Sequence, residues 1–201
     1  GILSTSMLIG VQSVDCPQIV ETALNAADEF CTSLGRNQAC YGHVALDAEL
    51  KGDAENFTFE QPGDVLNVAS LNTLRLHPMD VATGEWGVAL MSLQANLPDA
   101  LPGQNVIFLM FGDVEIQNAV PSDASSNTEI HAMQAFRLRT GIRDAPCEGA
   151  PQSGLVVQTP QGAGTIVFNI NGVDVEMGST VFFQADADEG MTVSTLEGAA
   201  N

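Results

Sequence analysis

The sequence predicts a mainly β fold with one N-terminal amphipathic helix, built as a β-sandwich or jelly-roll-like module followed by a small C-terminal β-module. Three observations predict it. One stretch, from Cys16 to Cys31, carries its apolar residues at the spacing of a helix face. From Cys40 onward apolar residues fall in short runs or alternate with polar ones, punctuated by Pro, Gly, Asn and Asp. Near the C-terminus Asn171-Gly172 separates two period-2 runs, the strongest short-range signal of a hairpin.

In the helix, Cys16, Ile19, Val20, Ala23, Leu24, Ala27, Phe30 and Cys31 recur at i, i+3, i+4 and i+7, with Glu21, Asp28 and Glu29 opposite. Asp15 is placed to cap its start, with Pro17 in the first turn and Gln18 three residues beyond the cap. Gly35 is the expected stop. A helix of this kind packs by its Cys-lined face.

Strand signals follow. Tyr41 to Leu50 is short and mixed, and Phe57 to Glu60 alternates before a Pro62-Gly63-Asp64 turn. Val65 to Leu76 is ambiguous, and His77-Pro78 breaks it. Trp86 to Leu97 reads as a strand and Leu97 to Gly103 as a loop. Val106 to Phe111 is continuously apolar, as in a strand covered on both faces. Gly112-Asp113 bends the chain, and Val114 and Ile116 alternate onward. Val120 to Asn127 reads as a loop, and Phe136 and Leu138 alternate with Arg137 and Arg139. Ile166, Phe168 and Ile170 lead into the Asn-Gly turn, and Val173, Val175 and Met177 lead away. Val181 to Phe183 and Met191 to Thr195 make two further strands, joined by Asp186 to Gly190.

The Pro/Gly/Asp-rich stretch from Gly141 to Gly154 is the expected boundary. The chain thus divides into an apolar N-terminal strand or donor segment (1–14), a helix plus β-sandwich domain (15–145) and a small β-module (146–201).

Charge narrows the partners. Twenty-five acidic residues face six basic ones, for a formal net charge of -19, and Lys51 is the one lysine. Such a chain offers nothing to neutralise phosphates, so nucleic acid is not an expected partner, and anionic membranes are disfavoured on the same ground. The longest apolar run, Val106 to Phe111, is too short to span a bilayer. Gly1 to Val11 lacks a positive leading region and does not read as an intact signal peptide.

The four cysteines, Cys16, Cys31, Cys40 and Cys147, have no close Cys-x-x-Cys spacing, which favours two disulfides over a zinc site. At ~1.5 Å per residue, Cys16 and Cys31 would stand roughly 22 Å apart at the two ends of the helix, too far to bridge each other. Cys31–Cys40 with Cys16–Cys147 is the easier arrangement; Cys16–Cys40 with Cys31–Cys147 is the other. Disulfides point to an oxidising, extracellular or cell-surface setting.

No constellation of catalytic residues emerges. His43, His77 and His131 stand apart from one another. There is no G-x-S-x-G elbow and no Walker or dinucleotide glycine motif. The expected cofactor is none. Ca2+ is the one candidate ion, from the D-x-D-x-G opening of a calcium loop at Asp186 and Asp188; an acidic hairpin turn explains the same residues. Asn56-Phe57-Thr58 is a candidate N-glycosylation sequon.

Three segments carry a resemblance: Leu155 to Gly162 (LVVQTPQG), Gly178 to Phe183 (GSTVFF) and Met191 to Gly198 (MTVSTLEG). Together they resemble the periplasmic β-domain of FecR-type iron-citrate sensors, with its T-P-x-G, G-T-x-F and V-x-x-L-E-G strands. The resemblance covers about the last quarter of the chain and implies a small β-domain there. The remainder, including Arg36 to Gly42 (RNQACYG), is similar to uncharacterised secreted bacterial proteins, a resemblance that implies no activity.

The N-terminal segment suggests a function. Ile2, Leu3, Met7, Leu8, Ile9 and Val11 give it apolar weight, while Ser, Thr and Gly keep it slim. It can pair within its own sheet, or add as a strand to the open sheet of another copy, which builds head-to-tail filaments. The expectation is a non-enzymatic extracellular structural protein that self-assembles as a homopolymer. The alternative is an extracellular ligand- or carbohydrate-binding module.

Overall fold

The computed structural model describes residues 15–52, 57–98, 104–121, 130–144, 147–186 and 190–197. Its helix, α1 (Cys16–Phe30), starts as expected: Asp15 Oδ1 accepts the Gln18 N–H at 3.0 Å, and Pro17 lies in the first turn. It ends at Phe30, five residues before Gly35. Cys31, bonded to Cys40, caps the last turn through its N–H to the Ala27 carbonyl (3.0 Å). The Gly35 N–H is taken by the Gln38 side chain at 2.8 Å, so Gly35 belongs to the turn that leads into the first strand.

Thirteen strands follow among the described residues: β1 (Gln38–His43), β2 (Leu46–Leu50), β3 (Val65–Asn67), β4 (Leu71–Leu76), β5 (Val88–Leu93), β6 (Val106–Phe111), β7 (Val114–Asn118), β8 (Ala135–Thr140), β9 (Gly154–Gln158), β10 (Ile166–Ile170), β11 (Val173–Met177), β12 (Thr180–Asp186) and β13 (Gly190–Glu197). They form two sheets, ordered β13-β12-β9-β6-β5-β1-β3 and β11-β10-β8-β7-β4-β2. All pairs are antiparallel except β8–β10. The fold is the predicted mainly β sandwich with one N-terminal helix.

Alternation along the strands assigns the layers. Ala89, Met91 and Leu93 of β5, Val106, Phe108 and Met110 of β6, and Val181, Phe183 and Ala185 of β12 point into the core between the sheets. They meet Leu74, Ile116, Phe136, Leu138, Phe168 and Ile170 of the second sheet. Phe108, Phe136 and Phe168 form a triangle of rings with centroids 5.2–6.1 Å apart. Burying each such ring stabilises the fold by about 1.5–3 kcal/mol.

The opposite face of the first sheet is also covered. Val88, Leu90, Leu109, Phe111, Val156 and Phe182 lie under α1, against Ile19, Ala23 and Ala27, with Trp86 and Met79 at the margin. Two coverings explain why β6 reads as a continuous apolar run. The outer face of the second sheet is left to solvent and carries a cross-strand row of opposite charges, Asp47–Arg75–Glu115–Arg139 in register. Arg75 pairs with Glu115 at 2.6 Å.

Several expectations change in detail. Phe57 to Glu60 is not a strand: the Asp64 carboxylate accepts the Glu60 and Gln61 N–H groups at 2.8 and 3.1 Å and holds a turn. Phe59 from that turn packs on Tyr41, ring centroids 5.3 Å apart. Val65 to Leu76 splits into β3, a single 3-10 turn (Val68–Ser70) and β4, so the chain passes from one sheet to the other. The strand expected from Trp86 to Leu97 is trimmed to β5, because the Leu97 N–H closes a turn on the Gln94 carbonyl at 3.1 Å.

The boundary expected at residue 146 does not separate two cores. β9 lies between β6 and β12 in one sheet, and β10 pairs with β8 in the other. Strands from both sides of the boundary contribute to one hydrophobic cluster.

Two tight features set the chain's course. At Asn171-Gly172 both φ angles are positive (53° and 82°), the requirement of a type I′ hairpin turn. At the β6–β7 corner, where the chain changes sheets, Gly112 has φ 77°, and a Cβ there would stand 2.1 Å from Ser153 Oγ.

Candidate functional site

α1 is fixed to the sheet at both ends. Cys31–Cys40 joins its C-terminus to β1, and Cys16–Cys147 joins its first residue to the loop ahead of β9. This is the first of the two pairings the spacing allowed. Between the bridges the helix sits close to the sheet at Gly42, where an added Cβ would lie 2.9 Å from Ala27 Cβ and 2.8 Å from the Val88 carbonyl oxygen. Asp15, the first described residue, is therefore held next to a disulfide.

Beside that point is a cavity of about 520 Å³, bordered by Met79, Trp86, Asp144, Cys147, Gln184 and Gly190. A polar cluster lies at one side. Ser153 Oγ donates to Asp144 and accepts the Asp113 N–H at 2.7 Å. The buried Asp113 carboxylate accepts the Arg143 N–H and lies 3.4 Å from its guanidinium, and the Asp113 carbonyl accepts the Gly141 N–H at 2.8 Å. Thr140 Oγ1 accepts the Ala185 N–H at 3.0 Å. Together these bonds tie the β6–β7 corner to the loop after β8 and the start of β9, and the end of β8 to the end of β12.

That cluster pairs a serine with carboxylates, but its chemistry is structural. Ser153 is 3% exposed, its hydroxyl is engaged on both sides, and neither group bonded to it is a histidine. His43 Nδ1 lies 2.9 Å from the Trp86 carbonyl, an oxygen that can only accept. His77 Nε2 lies 2.6 Å from Asp47. No cysteine is free. Among the described residues, no three His, Cys, Asp or Glu side chains are grouped to hold a metal ion. Asp186 ends β12 and is exposed, whereas Asp188 lies outside the described residues. Asn56 lies outside them too, as do Ile2, Leu3, Met7, Leu8, Ile9 and Val11.

Of the aromatics a carbohydrate platform could use, Phe30 and Phe57 are 49% and 42% exposed, whereas the tryptophan and the tyrosine are buried. Trp86 and Tyr41 are each 3% exposed. Burial raises the Tyr41 pKa above its ordinary value, against a smaller opposing effect from the Leu46 N–H that its hydroxyl accepts at 3.0 Å. Among the described residues no helix is long and apolar enough to cross a membrane.

The sheet edges remain. Two sheets leave four, and the described residues guard three of them. β3 has only three residues. β2 carries Asp47 and Glu49 outward, and β11 carries Asp174 and Glu176 outward. β13 differs. It is eight residues long, exposed along most of its length, and uncharged from Gly190 to Leu196. Among the described residues no strand pairs with its outer side. Short length, Pro, charge, bulges and covering are the usual protections of an edge, and among the described residues Gly190–Leu196 has only a bulge near Leu196, where the register with β12 shifts.

Sequence reasoning did not single out this edge, Gly42 or the Asp113–Ser153–Asp144 cluster. The one available signal was the run without charge at 190–196, in a chain with 25 acidic residues.

No protein-family model matches the chain, and neither a curated protein nor a solved structure matches it.

Proposed function

We propose that this chain is a non-enzymatic extracellular structural protein that assembles with copies of itself, residues 1–14 of one copy adding as a strand to an open sheet edge of the next. The observation that carries the reading is the uncharged, largely apolar sequence of residues 1–14, adjoining the disulfide-anchored Cys16 of a sandwich whose β13 edge is uncharged from Gly190 to Leu196. Two disulfides suit an oxidising extracellular setting. The bridge at Cys16 also passes any pull on the segment directly into the loop ahead of β9, so that α1 need not peel from the sheet to transmit it. The polar cluster beside the cavity supports a role for rigidity over chemistry. From the resemblance of the C-terminal strands to FecR-type β-domains we take a strand pattern and no sensor role.

The test is deletion of residues 1–14. The full chain is expected to form polymers visible by electron microscopy and light scattering, and the truncated chain to remain monomeric with an unchanged thermal transition. Polymers formed equally well by the truncated chain would overturn the proposal, as would a full chain that stays monomeric at every concentration tried.

A further inference from the structure

We infer that the outer edge of β13 is the acceptor, and that its occupant is residues 1–14 of a second copy; this rests on the assembly reading above. Charge decides among the edges. Each copy carries a formal charge of -19, so two copies repel wherever acidic surfaces meet. Segment 1–14 contains no charged residue, and Gly190–Leu196 contains none either. The edges at β2 and β11 present Asp47, Glu49, Asp174 and Glu176 to an incoming strand, and β3 offers three residues to pair with.

The side chains of β13 extend this match. Met191, Val193 and Thr195 pair with Ala185, Phe183 and Val181, so they share the core-facing side of the sheet. Met191 is partly buried against the core, but Val193 is 40% exposed at the margin. In segment 1–14 the alternate positions Leu3, Thr5, Met7, Ile9 and Val11 form one mostly apolar face of an extended strand. Ile2, Ser4, Ser6, Leu8 and Gly10 fall on the other, which is the slimmer of the two on average. Laid along β13, the first face continues the core past Val193, and the slimmer face lies outward with Thr192 and Ser194.

Reach is sufficient. Fourteen extended residues span at most about 46–50 Å, against the ~27 Å of an eight-residue strand. The excess bridges two bodies. Cys147, bonded to Cys16, borders the same cavity as Gly190 and Thr192, so β13 of the same copy is also within reach, and the crosslink below separates pairing within a copy from pairing between copies.

The experiment uses two chains of distinguishable mass. One keeps residues 1–14 and carries a photo-crosslinking residue in place of Ser194. The other is wild type with a small C-terminal tag. In a mixed polymer, illumination is expected to join the two chains, with the crosslink mapping to residues 1–14 of the tagged chain. A crosslink only within the probe-bearing chain, or none to residues 1–14, overturns the inference. A companion variant, Val193→Asp, puts a charge where the added strand would cover it; it is expected to raise the concentration needed for polymerisation at least tenfold while Trp86 fluorescence and the thermal transition stay as in wild type. If Val193→Asp is folded and polymerises as wild type while deletion of 1–14 still abolishes polymers, the acceptor is another edge and the assembly reading stands. If the deletion leaves polymers intact, the assembly reading itself fails.

Discussion

Replacing Gly42 by alanine should loosen α1 from the sheet, and the size of the effect follows from distances. Gly42 sits at the irregularity in β1, where the register with β5 shifts between Tyr41 and His43. An alanine Cβ would stand 2.8 Å from the Val88 carbonyl oxygen and 2.9 Å from Ala27 Cβ. Normal carbon contacts are about 3.5–4.0 Å, so the shortfall is roughly 0.6 Å or more on two sides. Losing a glycine from a strand is itself worth about 0.5–1 kcal/mol in favour of alanine. Overpacking costs about 1–3 kcal/mol, and it wins here because one of the two neighbours is backbone held by β-pairing and cannot swing away. The expected net loss is about 1–2 kcal/mol. Urea unfolding followed by fluorescence measures it, and Trp86, the one tryptophan, lies in the cluster beneath the helix. Ala27→Gly removes one of the two colliding atoms. Alone it destabilises, by about 1 kcal/mol for glycine in a helix. Combined with Gly42→Ala it should cost at least ~0.5 kcal/mol less than the sum of the two single changes. A Gly42→Ala chain as stable as wild type, or a cycle additive within ~0.3 kcal/mol, would refute the close docking of helix on sheet.

Two more outcomes follow from the same scaffold. Cys16–Cys147 closes a separation of 131 residues and Cys31–Cys40 one of 9, so the loop-closure contributions are about 5 and about 3 kcal/mol. Chemical denaturation of Cys16→Ala/Cys147→Ala is therefore expected to show a loss of several kcal/mol, and a loss below ~1 kcal/mol would contradict the bridge's role. Tyr41 is the one tyrosine, and burial raises its pKa above 10.0. A group that holds its proton more tightly when folded contributes stability in full below its unfolded pKa and loses it as pH rises through the folded value. The midpoint of phenolate absorbance in the native protein should thus lie above pH 10.0, stability should fall as pH rises toward it, and Tyr41→Phe should flatten the fall.

What the sequence made legible was local. The helix announced itself through Asp15, Pro17 and the spacing of Ile19, Ala23 and Ala27, and the β10–β11 hairpin through Asn171-Gly172. Even there the helix face was drawn too wide: Leu24 and Phe30 are 37% and 49% exposed. Contact is made through the small residues Ala23 and Ala27 against a strand that has no side chain at Gly42, which leaves the flanking large residues at the rim. Strand order was not legible. Alternation tells which face of a strand is buried but not which strand lies beside it, so nothing local revealed that β9 enters between β6 and β12 or that β10 runs parallel to β8. The polar cluster was hidden for a similar reason, because Asp113, Asp144 and Ser153 look like ordinary loop residues until a corner brings them together. The disulfides were an intermediate case: the helix length excluded one pairing, and only the fold chose between the other two.

The large negative charge bears on which surfaces can meet. At physiological ionic strength charges act over about 8 Å, so repulsion between copies falls mainly on surfaces that touch. A row of carboxylates at an edge then works as a local veto on strand addition, and β2 and β11 each carry two such groups pointing outward. β13 carries none from Gly190 to Leu196. In a chain where acidic residues outnumber basic ones by 25 to 6, an eight-residue edge strand of this kind is an opening in an otherwise repulsive surface. Residues 1–14 have the matching uncharged composition, and the Cys16–Cys147 bridge lies immediately after them in sequence, beyond Asp15. A polymer joined only there would stay unbranched, because each copy would supply one segment 1–14 and offer one β13 edge to receive another.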